Sequence, residues 1–167
     1  MQVGSASSGT TNDPTMRVTA KVDYAVRAAI ELGIAEPGVP VKGERLAAAQ
    51  AIPTKFLENI LAELKRSSII ASQRGADGGY WLARPAKDIT VADIIRAVEG
   101  PLANVRGLRP EEVDFEGSAE PLQRMWIAVR ASLRSVLEHV TIADLVAGNL
   151  PKRVDKLADD PDAWQPR

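Results

Sequence analysis

Between Gly43 and Ala83 the hydrophobic pattern changes period, and this constrains the fold more than any other feature of the chain. A short helix is expected over about Gly43 to Gln50, followed by Ala51-Ile52. Pro53 then opens a second helix, at a position where its missing N–H costs nothing. Phe56, Leu57, Ile60, Leu61 and Leu64 fall on one side of that helix. Thr54, Lys55, Glu58, Asn59, Lys65 and Arg66 form its polar side. Ile69–Arg74 and Tyr80–Ala83 then read as short β-like runs around the glycine-rich Gly75–Gly79, which is the pattern of a hairpin. Two helices joined by a tight turn, with a hairpin directly behind them, make a winged helix-turn-helix. The glycine run is not a phosphate loop, because no Lys-Ser/Thr follows it and no helix starts there.

The flanking segments complete the plan. Residues 1–15 are Ser/Gly/Thr-rich without an apolar segment, so they read as a disordered extension rather than a secretory signal. Apolar residues recur at helical spacing from Val18 to Ala35, and Glu36-Pro37-Gly38 stops that helix. Thr90-Val-Ala-Asp93 is a capping box that opens the helix Val91–Glu99, and Gly100-Pro101 ends it. Residues 102–119 form a loop of roughly 18 residues, longer than compact domains usually carry without a function. Beyond it Leu122, Trp126, Val129, Leu133, Val136 and Val140 follow spacings of 4, 3, 4, 3 and 4. That seam is too short for a free coiled coil and suits a helix that pairs with its twin, the alternative being that it packs on its own domain. Thr141-Ile-Ala-Asp144 is a second capping box, and the Asp/Pro-rich residues 151–167 read as a flexible tail. The expected fold is mainly α with a small β wing: a winged helix-turn-helix domain at 16–89, a linker helix, loop and dimerisation helix at 90–150, and the two terminal segments.

Composition narrows the function. The 167 residues include no cysteine, which excludes disulfides, thiol catalysis and thiolate-ligated metal sites. A single histidine excludes a His-pair zinc motif, and no carboxylate pair suggests an active site, so an enzyme has no support. No apolar run approaches the ~18 residues of a membrane span, so the expected location is cytoplasmic. Residues 16–88 carry 11 Lys/Arg against 8 Asp/Glu, while the chain from Thr90 onward carries 10 against 13. A basic half joined to an acidic half is a modest pointer to nucleic acid.

A helix in the major groove must offer short or basic side chains at its N-terminal end, where base edges come within reach. Thr54, Lys55 and Glu58 meet that requirement. Phe56 is near enough to meet a thymine methyl, and Glu58 is suited either to accept from a cytosine amino group or to orient Lys55 or Lys65. Arg74 at the wing tip is placed for a narrow minor groove. Arg17, Lys21, Lys42, Lys65, Arg66 and Arg84 are phosphate candidates, each weighed against the plainer reading of a solvated face.

Several segments resemble the Rrf2 family of bacterial winged-helix transcription regulators, of which this chain would be a cysteine-free member. They are Met16-Arg-Val-Thr-Ala-Lys-Val-Asp-Tyr-Ala-Val-Arg-Ala28, Ile52-Pro-Thr-Lys-Phe-Leu-Glu-Asn-Ile-Leu61 and Arg74-Gly-Ala-Asp-Gly-Gly-Tyr-Trp-Leu-Ala-Arg-Pro85. Ile89-Thr-Val-Ala-Asp-Ile-Ile-Arg-Ala-Val-Glu-Gly-Pro101 and Thr141-Ile-Ala-Asp-Leu145 continue the likeness to about Leu150. The resemblance implies a homodimeric regulator, usually a repressor, of double-stranded DNA with a near-palindromic operator. It puts base or groove contacts on Lys55, Phe56, Glu58, Arg74 and Gly75. Pro53 and Lys55 depart from the residues usual in the family, which bears on the operator sequence. Relatives hold an iron–sulfur cluster on cysteines of the loop that here is 102–119, and Asp23 resembles a carboxylate that completes it in some of them. Without thiolates no cluster is expected and no other cofactor is implied; Asp23 then reads as a surface carboxylate. The loop is instead expected to take a small-molecule effector or a protein partner, with an organic ligand lying between it and the first helix. The alternative to a DNA-binding regulator is a winged-helix adaptor that binds protein and lacks specific DNA binding.

Overall fold

The structure is a computed structural model that describes residues 18–166; the expected N-terminal extension and Arg17 lie outside them. Helices α1 (Ala20–Ile34), α2 (Gly43–Gln50) and α3 (Thr54–Arg66) lead into strands β1 (Ile70–Gln73) and β2 (Gly79–Leu82). Helices α4 (Val91–Glu99), α5 (Pro121–Leu137), α6 (Ile142–Ala147) and α7 (Lys152–Ala158) follow. Seven α-helices and one two-stranded antiparallel sheet, the latter directly behind a helix-turn-helix pair, make up the described residues, in keeping with the expected fold class.

Helix α1 occupies the centre. The Thr19 hydroxyl caps it by accepting from the Val22 N–H at 3.2 Å. Ala25, Ala28 and Ala29 are fully buried, and their small side chains let α2, α3, α4 and α6 close around the helix. Leu46, Leu57, Ile60, Leu61, Leu64 and Ile94 fill the space between these elements. Near the end of α1, a Cβ built on Gly33 would lie 3.0 Å from side-chain carbons of Ile142 and Val146, so glycine sets how closely α6 approaches.

The turn between α2 and α3 is closed by Ala51, which takes the left-handed conformation at φ 52°, and by Ile52, whose N–H donates to Ala47 O at 2.9 Å. Pro53 sits at the N-cap of α3, one position earlier than the sequence reading gave it. Its carbonyl accepts from Phe56 and Leu57, both at 3.0 Å. The wing pairs β1 with β2 antiparallel, with Ser72 opposite Tyr80 and Gln73 opposite Gly79. Val41 adds a third edge, exchanging two hydrogen bonds of 2.8 Å with Tyr80.

Two capping boxes start α4 and α6 from a common point. Thr90 and Asp93 exchange hydrogen bonds of 3.0 and 3.1 Å, and Thr141 and Asp144 exchange bonds of 2.8 and 3.1 Å. Thr90 and Thr141 lie opposite each other in an antiparallel bridge. Val91 N donates to Val140 O, and Ile142 N to Ile89 O, both at 2.9 Å. This corrects one expectation. Val140 lies beyond the end of α5 and is only 6% exposed, so it belongs to the core and not to the exposed seam. The heptad spacing ran past the point where the helix stops.

Residues 151–167, expected as a flexible tail, contain α7, with Pro151 at its N-cap. Trp164 folds back, its Nε1 donating to Ala158 O at 2.6 Å. The Pro-led helical start was a legible signal that the abundance of Asp obscured.

The wing yields a test of the fold. A Cβ on Gly79 would lie 2.5 Å from Val41 O, a backbone atom that cannot swing away. Gly79→Ala should break the Val41–Tyr80 bridge and destabilise the protein by about 2 kcal/mol or more. Urea denaturation followed by circular dichroism measures this, and an unchanged midpoint would contradict the packing.

Candidate nucleic-acid interface

Leu57, Ile60, Leu61 and Leu64 are buried at 1% exposure or less, which fixes the rotation of α3. The same rotation turns Thr54, Lys55, Phe56, Glu58 and Lys65 outward. Arg74 and Gly75 are exposed at the wing tip. Lys42, just before α2, donates from Nζ to Gly75 O at 3.0 Å and so ties the wing tip to the helix-turn-helix unit. A cleft of about 200 Å³ lies where α2, α3 and the wing meet, with Thr54, Glu58, Gln73, Gly75 and Tyr80 among its lining residues. Three of the expected site residues, Thr54, Glu58 and Gly75, thus share one concavity.

Gln73, Tyr80 and Gly43 of this cleft were missed from the sequence. Gly43 begins α2 without a capping side chain, so first-turn N–H groups are left for an outside acceptor. The absence of a Ser, Thr, Asp or Asn before that helix was the available signal.

Phe56 keeps 39% of its surface exposed. Its ring meets Tyr24 of α1 edge-on, with centroids 5.7 Å apart. Arg27 lies over the Tyr24 ring at 4.8 Å, pairs with Asp23 at 2.5 Å and donates to Gln50 O at 3.0 Å. Asp23 is therefore the partner of an arginine that braces α1 against the turn.

The phosphate candidates separate. Lys21 pairs with Glu63 at 2.9 Å, and both side chains are mostly buried. It joins α1 to α3 and is not grouped with Lys55 and Arg74. Arg84 donates to Asp88 O at 2.6 Å and reaches Asp93 at 3.4 Å, so it braces the start of α4. Lys65 is exposed but stands ten residues from Lys55, about 15 Å along the helix.

A second feature lies around α5. None of its residues is buried. Leu122 is 37%, Met125 44% and Ile127 37% exposed, while Trp126, Val129, Leu133 and Val136 are half-buried. Helix α5 is fastened to the body largely by polar groups. Glu138 receives hydrogen bonds from Arg96 of α4 and from Arg134, the latter at 3.0 Å. Arg130 pairs with Glu111, and Gln123 donates to Val113 O at 3.1 Å. The Arg96 hydrogen bond, followed by that from Arg134, holds the Glu138 carboxyl below its ordinary range. A bond from its own backbone N–H, then Arg130, does the same for Glu111.

Leu102, Pro110 and Val113 anchor the 102–119 loop in the core. A cleft of about 440 Å³ lies between this loop, α4 and α5. This cleft is lined from α4 and α5, whereas the sequence reading put an organic ligand between the loop and α1. Trp126 is not among the residues lining the cleft.

A helix presented beside a wing that carries an exposed Arg74, on a helix-turn-helix unit, defines the class: a winged helix-turn-helix transcription regulator that binds DNA. The profile of the Rrf2 family, described as iron-dependent transcriptional regulator, matches residues 18–148, and the chain belongs to that family. It is 48% identical over 145 residues to Rv1287 of Mycobacterium tuberculosis, described as an HTH-type transcriptional regulator, covering 87% of this chain and 90% of that one. It is 32% identical over 133 residues to the HTH-type transcriptional regulator CymR of Bacillus subtilis, covering 79% and 91%. The solved structure of B. subtilis CymR, the global cysteine regulator, superimposes with a TM-score of 0.67 at 29% identity over 81% of this chain and 99% of that one. That of T. potens IscR gives 0.63 at 30% identity, over 91% and 93%. These relatives are transcription regulators and not enzymes. No helix among the described residues is long and apolar enough to cross a membrane.

The family description names iron, and the donor set here does not fit an iron–sulfur cluster. The chain has no cysteine, and among the described residues no three His, Asp or Glu side chains gather as a metal site. The loop in question offers the carboxylates Glu111, Glu112, Asp114 and Glu116 but no thiolate or imidazole, and clusters are held mainly by cysteine.

The two lysines of α3 and α1 should behave differently in the free protein. Lys21→Ala should lower unfolding stability by about 1 kcal/mol, because it strands Glu63. Lys65→Ala should change it by less than about 0.5 kcal/mol. Equal effects in paired denaturation curves would contradict the assignment of Lys21 to the α1–α3 junction.

Proposed function

We propose that the protein is a homodimeric, sequence-specific repressor that reads double-stranded DNA with α3 and the wing and does not sense through an iron–sulfur cluster. The observation that carries the DNA reading is the outward N-terminal turn of α3 beside the tethered wing tip. Lys55 hydrogen-bonds guanine, Glu58 accepts from cytosine or orients Lys55, and Thr54 meets a base edge or phosphate. Phe56, leaning on Tyr24, offers its free edge to a thymine methyl. Arg74 enters the minor groove, with Gly75 keeping the backbone close to DNA. Lys65 contributes to phosphate attraction only, and Lys21 acts indirectly by seating α3.

The dimer is supported by α5, a 17-residue helix with no buried position. Such a helix gains little from its own domain, since helices are held mainly by burying an apolar face. Leu122, Trp126, Val129, Leu133 and Val136 pair with the same residues of a second copy. Two-fold symmetry then implies a near-palindromic operator, with half-sites about one or two helical turns apart. The protein acts in the cytoplasm, where the operator is. Its signal enters through a small-molecule effector or a protein partner at the 102–119 loop.

The test is fluorescence anisotropy on the DNA upstream of the protein's own coding sequence and on a scrambled control, each at two salt concentrations. Tight binding to the upstream DNA alone, falling steeply with salt, is expected. Weak binding with a flat salt response would favour the protein-binding adaptor. Lys55→Ala should cost about 1–3 kcal/mol and relax sequence preference; equal loss on every DNA would reduce Lys55 to a phosphate contact. In sedimentation equilibrium Leu133→Glu should shift the protein from dimer to monomer, and a variant that stays dimeric would remove α5 from the interface.

A further inference from the structure

The loop–α4–α5 cleft is unusually cationic. Arg96, Arg109, Arg130 and Arg134 line it together with Gly100, Pro101, Leu102 and one carboxylate, Glu111. The Glu138 carboxylate binds Arg96 and Arg134. Four guanidinium groups therefore face two carboxylates. The pairs leave donors unused: Arg130 engages Glu111 through Nη1, Arg96 engages Glu138 through Nη2, and Arg134 does so through Nε. Arg109 forms no ion pair among the described residues. Clustered arginines repel one another, and an anion placed among them relieves that repulsion while taking their forked N–H donors in pairs. The volume of about 440 Å³ falls within the range of small-molecule sites.

We infer that this cleft binds a small organic anion carrying at least two negative charges, as carboxylates or phosphoryl groups. Arg109 and Arg130 approach it from the loop and the middle of α5; Arg96 and Arg134 approach it from α4 and the following turn of α5. Gly100, Pro101 and Leu102 form a wall without charged side chains beneath it. The bound anion competes with Glu138 for Arg96, which connects α4 to the end of α5, and for Arg134 of α5 itself. Because α4 packs on α1 and α3, that competition alters the angle between α5 and the α3–wing unit. The binding site stands on the arginines alone; its consequence for DNA rests on the regulator reading above.

The experiment uses the full chain, without DNA, in isothermal titration calorimetry with sodium pyrophosphate and with citrate. Ionic strength is held constant with sodium chloride. Saturable one-site binding of at least one probe is expected, with preference for pyrophosphate assigning a phosphoryl ligand and preference for citrate a carboxylate ligand. Arg109→Gln and the double variant Arg109→Gln/Arg134→Gln should weaken it at least tenfold. Arg109 is exposed and forms no ion pair among the described residues, so the single variant keeps its fold and serves if the double variant does not. Lys55→Ala/Arg74→Ala should leave the binding unchanged. The inference is overturned if neither probe saturates, if Arg109→Gln binds as well as the parent, or if the Lys55/Arg74 variant is the one that loses binding. Anisotropy on the upstream DNA, with and without the probe, separates the two proposals: retained anion binding in a protein that ignores DNA sustains the site and removes only its regulatory role.

Discussion

Every functional surface of this protein depends on the close packing of other helices against α1. Ala25, Ala28 and Ala29 place a helix surface with almost no side-chain bulk at the centre of the domain. Helices α3, α4 and α6 can then approach the same helix at once, and Gly33 extends that closeness to α6. Interiors are packed near crystal density, so a larger side chain at any of these alanines would displace a neighbour instead of filling a gap. The rotation of α3, and with it the outward direction of Thr54, Lys55 and Glu58, follows from this packing. The Lys21–Glu63 pair adds a polar tie across the same junction.

The wing and the C-terminal half are attached by different means. The wing is tied by backbone pairing to Val41 and by the Lys42–Gly75 hydrogen bond, which makes it an extension of the helix-turn-helix unit. Helix α5 is joined by the Arg96–Glu138 and Arg130–Glu111 pairs on the protein surface. Exposed ion pairs contribute little to stability and respond to ligands and salt. Between them stand α4 and α6, started by capping boxes that meet in one backbone bridge. The wing is thus joined to the helix-turn-helix unit by backbone pairing, whereas α5 meets the rest of the molecule largely through polar side chains.

Much of this was legible residue by residue. The leucine and isoleucine spacing of α3, the glycines of the wing and the two Thr-x-x-Asp boxes are local signals, and each marks the element it predicts. Failures arose where a local pattern met a non-local partner. Val140 continued the heptad spacing, but the helix had already ended and the residue was drawn into the core beside Thr90. Lys21 looked like a free cation until Glu63, distant in sequence, was brought beside it. The tail was judged by its acidic composition, although Pro151 marked a helix start. The arginine cleft draws on α4, the loop and α5, segments that no single window of sequence joins.

The sequence by itself determined the order of elements, the caps that begin them, the apolar faces they bury and the exclusion of thiolate chemistry. Those properties depend on side-chain type and on neighbours within a few positions, where periodicity and capping act. The tertiary structure alone decided which cations are held in ion pairs, where the long loop comes to rest and which helix buries no residue. Availability is a property of three-dimensional neighbours: a lysine held by a glutamate and a lysine facing solvent are the same letter in sequence, and only packing around α1 tells them apart.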